Sequence, residues 1–102
     1  MASQHSALPQ MRRGPDGRTS ICGELDLLSV RDLERWLDTL VDDHSVDLNA
    51  VTFFDSSALR AFLNARRRDP ALRIVNPSTA VVRVLEVTAT LDYLVHGREI
   101  NW

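Results

Sequence analysis

The stretch that decides the fold is Val51-Thr52-Phe53-Phe54-Asp55-Ser56-Ser57-Ala58-Leu59-Arg60-Ala61-Phe62. A short apolar run meets an acid and two hydroxyls, and the pattern then changes from extended to helical. Asp and Ser are favoured helix N-caps because their short side chains accept hydrogen bonds from the unpaired N–H groups of the first turn. The corner therefore predicts a strand ending at Phe54 and a helix starting at Ser56. Leu59, Phe62 and Leu63, with Ala58, Ala61 and Ala65, share one face of that helix, while Arg60, Asn64, Arg67 and Arg68 point away from it. Asp69-Pro70 ends it, since the residue before proline is pushed out of helical geometry.

Toward the N-terminus, Val46-Asp47-Leu48-Asn49 alternates like a strand, and Ala50–Phe54 carries that strand on to the corner. Before it, residues 29–43 predict a helix. Ser29-Val30-Arg31-Asp32 has the form of a helix start, with Ser29 as the cap and Asp32 in the positive first turn. Leu33, Trp36, Leu37, Leu40 and Val41 form its apolar stripe, Arg31, Glu34, Arg35 and Asp38 face water, and Asp42-Asp43-His44 closes it. Earlier still, Gly14-Pro15-Asp16-Gly17 is a dense turn signal between two extended segments, which predicts a β-hairpin. Cys22, in its second arm, is expected to be a buried, inert thiol.

Toward the C-terminus, Leu72-Arg73-Ile74-Val75 reads as a strand ended by Asn76-Pro77. The segment 78–88 is rich in valine, which favours a strand locally. Val81, Val84, Leu85 and Thr88 nevertheless share a helical face, and a helix is expected there. Leu91–Val95 is expected as a last short edge strand. The order strand, helix, strand implies a parallel pair. The expectation is an α/β fold: a mixed, mostly parallel sheet with an N-terminal hairpin and about three packed helices. Residues 1–6 are read as a loose terminus, 7–96 as the domain and 97–102 as a tail.

At 102 residues the chain fits one domain. A formal net charge of −2, with 44% hydrophobic and 25% charged residues, gives no global field to attract nucleic acid, so a protein partner or small ligand is expected. All twelve basic residues are arginine, a pattern read as coding bias. The single cysteine allows neither an internal disulfide nor a thiolate zinc site. No apolar run approaches the roughly 18 residues that span a bilayer, and no secretory pattern opens the chain, so no membrane insertion and a cytoplasmic location are expected.

Hydrolysis at Ser56 or Ser57 would need a placed base, and none of His5, His44 and His96 is placed by a motif, so an enzyme is not expected. Glycines stand only at 14, 17, 23 and 97, so no glycine-rich phosphate loop precedes the helix that starts at Ser56. No pair of side chains has metal-ligand spacing, and no cofactor is called for. Arg60, Arg66, Arg67 and Arg68 form either a solvated helix face or a partner-binding patch. Asp55-Ser56-Ser57 likewise has two readings. One is a helix cap with no further role. The other is a switch, because a phosphate on Ser56 adds a charge of about −1.5 to −2 that a helix start tolerates but an acidic partner does not.

Val46-Asp47-Leu48 through Val51-Thr52-Phe53-Phe54-Asp55-Ser56-Ser57-Ala58-Leu59 resembles the signature of the STAS domain family, the bacterial anti-sigma factor antagonists. Gly23-Glu24-Leu25-Asp26 matches that family's early motif, and Asn76-Pro77-Ser78 with Val81, Val84 and Leu85 resembles its third. The resemblance implies a small α/β domain that binds an anti-sigma factor, itself a serine kinase, in partner-switching control of transcription. It implies that the kinase phosphorylates Ser56, that this ends binding, and that a phosphatase restores it. Asp55, Ser56, Ser57, Ala58 and Arg60 would belong to the docking face, with Gly23, Glu24, Leu25 and Asp26 as a neighbouring loop. A STAS accessory subunit of a lipid-transport ATPase complex and a small-ligand or nucleotide-sensing STAS module are the alternatives. The chain departs from the family pattern at Ala58 and Arg60, where glycine is common, and at Thr88-Ala89-Thr90, where a glycine is usual.

Overall fold

The computed structural model describes residues 8–40 and 44–99. Its first two strands, β1 (Gln10–Arg13) and β2 (Thr19–Leu25), form an antiparallel hairpin with Met11 opposite Ile21. The turn between them closes through hydrogen bonds from Gly14 N to Arg18 O and from Gly17 N to Gly14 O. Helix α1 (Val30–Asp38) leads to β3 (Ser45–Asp47) and β4 (Val51–Phe54), then to α2 (Ser56–Arg68), β5 (Arg73–Val75), α3 (Thr79–Val87) and α4 (Leu91–Leu94).

Strand β2 is the centre of the sheet. Strand β1 lies on one side of it; on the other side β3 and β4 follow each other, both parallel to it, and β5 runs parallel to β3. The expected mixed, mostly parallel sheet and its parallel strand–helix–strand pair are thus present. Thr19, Ile21, Gly23 and Leu25 of β2 alternate inward, and Val46, Val51, Phe54 and Ile74 join them in the core. Phe62 of α2, fully buried, packs its ring 5.9 Å from that of Phe54, which fixes the helix over the strand that feeds it. Leu33, Leu37, Val81 and Leu85 bring α1 and α3 onto the same core.

Several expectations are corrected. The continuous strand over 46–54 is broken, because Asn49 and Ala50 turn and Val51 N donates to Leu48 O. Helix α1 ends at Asp38, and the Ser29 side chain makes no capping hydrogen bond to it. The Ser29 hydroxyl turns back into the preceding loop, accepting from Asp26 N at 3.0 Å and donating to Glu24 O at 3.1 Å. Residues 41–43, with Val41, Asp42 and Asp43, lie outside the described residues, as do the loose terminus 1–6 and Trp102. Cys22 is half-buried, since strand alternation turns Ile21 inward and Cys22 to the opposite face.

The expected last strand is the one-turn helix α4, with bonds from Leu94 N to Thr90 O and from Val95 N to Leu91 O. Its partner overturns the reading of Arg66 as part of a solvated face. Arg66 is 2% exposed, its guanidinium lies 4.4 Å from the Tyr93 ring centroid, and it pairs with Glu99 at 3.1 Å. Cation–π stacking compensates the desolvated guanidinium and pins α4 to α2. At the end of α2, the Asp69 carboxylate meets His44 Nδ1 at 2.7 Å and accepts from Ala71 N at 3.1 Å. Partial burial opposes ionisation of Asp69, but these bonds and the charges of His44 and Arg66 hold its carboxyl below the ordinary carboxylate value.

Candidate functional site

The site is the corner where β4 passes into α2. Asp55 is extended, with φ −119° and ψ −175°, so its side chain can turn back over the helix start. Its Oδ1 accepts from Ser57 N at 2.9 Å and from Ala58 N at 3.1 Å. Its Oδ2 accepts from Leu27 N at 3.2 Å. One carboxylate thus caps α2 and ties the loop between β2 and α1 to it. The capping role expected of Asp55 is present, and the tie to Leu27 is an addition that no local spacing encodes.

That loop is held rigidly from its other side. Asp26 Oδ1 accepts from Leu28 N at 3.0 Å and from Ser29 N at 3.2 Å, and Ser29 bonds back to Glu24 and Asp26. Between these anchors, Leu27 is 69% exposed and Leu28 94% exposed. Exposed leucines on a restrained loop keep apolar surface in water instead of collapsing inward, which suits a contact surface. Sequence reading passed over both. Their signal was an apolar pair outside any periodic pattern, between Asp26 and Ser29.

Ser56 is the first residue of α2 and is exposed, whereas Ser57 is half-buried. Both line a cleft of about 270 Å³ with Leu27, Val30, Glu34, Arg60 and Ala61. The cleft lies between the starts of α1 and α2, so the structure gathers Ser56, Ser57 and Arg60 beside the loop. The other expected site residues divide by depth. Glu24 and Asp26 are half-buried beside Leu28 in a second cleft, with Leu8, Pro9, Ser29 and Asp32. Leu25 and Ala58 are fully buried and support the corner from beneath. Gly23 lies within β2, not in a loop. Its φ of +96° and the Leu8 carbonyl, 2.7 Å from where a Cβ would stand, explain the glycine. The pairing of β2 with β4 shifts register there, between Gly23 and Glu24.

Among the described residues, no group of three or more His, Cys, Asp or Glu side chains could hold a metal ion. The described helices include none long and apolar enough to cross a membrane. His44 is committed to Asp69 at the far end of α2, and neither His44 nor His96 lines the cleft with Ser56 and Ser57.

A mixed sheet with packed helices and a serine exposed at a carboxylate-capped helix start define a small α/β domain. The family model described as "Mlab, STAS domain" matches residues 11–95, and the chain belongs to the STAS domain family. Among solved structures, the crystal structure of an anti-sigma factor antagonist from Mycobacterium paratuberculosis has a TM-score of 0.68 and 21% sequence identity. That match covers 93% of this chain and 87% of the other, and it is a likeness of fold. No curated protein matches the sequence.

Proposed function

We propose that this protein is a non-enzymatic anti-sigma factor antagonist of bacterial partner switching, binding an anti-sigma factor that is also a serine kinase and regulated by phosphorylation of Ser56. The observation that carries the reading is the exposure of Ser56 as the first residue of α2, on a start fixed by Asp55 and beside the exposed Leu27 and Leu28. The partner-binding face comprises Glu24, Asp26, Leu27, Leu28, Ser56, Ser57 and Arg60, with Gly23, Leu25, Asp55 and Ala58 shaping the backbone under it. The fold likeness to an anti-sigma factor antagonist supports the same reading.

In the modification, Ser56 Oγ attacks the γ-phosphorus of ATP. The Oγ–P bond forms, the bond to the β-phosphate oxygen breaks, ADP leaves with that electron pair, and the hydroxyl proton passes to a base of the kinase. The phosphate then sits at a capped helix start, where its charge does not unfold α2 but changes the docking face. A phosphatase reverses it, and the cycle takes place in the cytoplasm.

The test is incubation with the candidate kinase and ATP, followed by mass spectrometry and binding measurements. Phosphate on Ser56, none on Ser56→Ala, and a roughly tenfold or greater loss of kinase binding by Ser56→Asp are expected. No phosphate on Ser56 together with unchanged binding by Ser56→Asp would sink the reading. A second reading, an accessory STAS subunit of a lipid-transport ATPase complex, is favoured by the Mlab description of the matched family. It uses the same face without phosphate, and copurification with an ATPase subunit distinguishes it.

A further inference from the structure

We propose that Arg60 is the intramolecular partner of the phosphate on Ser56, holding it along α2 at the edge of the cleft between α1 and α2. The inference rests on the reading of Ser56 as the modified serine. Arg60 follows Ser56 at the i, i+4 spacing, which places the two side chains on one helix face with Cβ atoms about 5–6 Å apart. An arginine reaches across that gap without backbone movement, and its planar fork takes two phosphate oxygens at once. Both residues line the same cleft, and Arg60 is exposed. It makes no ion pair with another described residue.

The other arginines of α2, and Arg35 on α1, are unsuited to the role. Arg66, Arg67 and Arg68 stand ten or more residues beyond Ser56 along α2, about 15 Å or more at 1.5 Å per residue. Arg66 is buried on Tyr93, Arg68 holds Asp38 at 2.8 Å, and Arg35 on α1 holds Asp32 at 2.6 Å. Arg60 is the cation among the residues lining the cleft.

Two carboxylates press the other way. Glu34 lines the cleft from α1, and Asp55 carries its charge beside Ser56 while its oxygens accept the amides of Leu27, Ser57 and Ala58. Both oppose a dianionic phosphate, and Arg60 offsets them. Modification therefore alters the docking face twice. It adds negative charge at Ser56, and it engages a cation that an unmodified face leaves available to a partner.

The proposal is tested with phosphoserine installed at position 56 during translation, so that no kinase is involved. Phosphorus NMR at low salt then follows the second phosphate ionisation, which lies near pH 6 for an isolated phosphoserine. The midpoint in the otherwise unchanged protein is expected about half a pH unit below that in Arg60→Gln, with Arg60→Lys between the two. Coincident midpoints in the parent and Arg60→Gln overturn the proposal. Unaltered amide spectra of the unphosphorylated variants verify that the fold is kept, as expected for an exposed side chain. If the kinase fails to modify Ser56 and binds Ser56→Asp unchanged, but the midpoint shift is found, the Ser56–Arg60 pairing stands and the switch reading falls. If the kinase modifies Ser56 and the midpoints coincide, the switch reading stands and the role of Arg60 falls.

Discussion

Asp55 joins two parts of the chain that are distant in sequence. Its cap on Ser57 and Ala58 was legible, because an acid before a helical pattern has few other uses. Its bond to Leu27 was not, since it spans 28 positions and depends on how β2 and β4 lie together. The two roles can be separated by substitution. Asp55→Ala removes both and is expected to cost about 1–2 kcal/mol in urea unfolding. Asp55→Asn keeps one acceptor oxygen, so it is expected to cost less while speeding amide hydrogen exchange at Leu27. An unchanged urea midpoint in Asp55→Ala would show that the cap contributes nothing to stability.

The end of α3 shows how an element can keep its geometry without the residue that usually provides it. Ala89 has φ +58°, its N–H donates to Glu86 O, and the Thr90 N–H donates to Leu85 O. This is the Schellman arrangement, in which the residue in left-handed geometry is usually glycine. Thr88-Ala89-Thr90 stands where the resembling family has that glycine, and alanine adopts the turn at a strain cost. Ala89→Gly is therefore expected to raise stability by roughly 0.5–1 kcal/mol, read as a higher melting temperature, even though glycine loosens the unfolded chain. A lower melting temperature would show that the added chain entropy outweighs the relieved strain. The turn also sets the form of the next segment. Leu91, Tyr93 and Val95 alternate as a strand would, but the reversed chain brings Tyr93 onto buried Arg66, and one helical turn results.

Over the whole molecule, the pair of His44 and Asp69 joins the approach to β3 to the end of α2, two segments 25 residues apart. The folded protein holds the Asp69 carboxyl below its ordinary value of 3.8, so the unfolded chain binds the proton more readily. This contribution is fully present above that value and is lost as the pH falls through the lower, folded one. Acid unfolding of the native protein is expected to steepen below about pH 4, with Asp69→Asn showing a weaker slope. Equal slopes in the two proteins would remove Asp69 from the acid transition. With the side chains about a third and a half exposed, added salt is expected to weaken the effect.

By itself the sequence determined the hairpin, the alternation of strand and helix from β2 to α3 apart from the break within 46–54, the mixed and mostly parallel sheet, and the capped corner at Asp55. These arise from periodicity, turn residues and caps, which act over a few neighbouring positions. Only the tertiary structure decided that the run from Val46 to Phe54 breaks in two and that the Ser29 hydroxyl serves the loop instead of capping α1. It also drew Arg66 inside and presented Leu27 and Leu28 on a restrained loop. The physical reason is shared by all four. A backbone amide, a guanidinium or a leucine takes its place by which partner the folded chain brings within reach, and local sequence does not specify that partner.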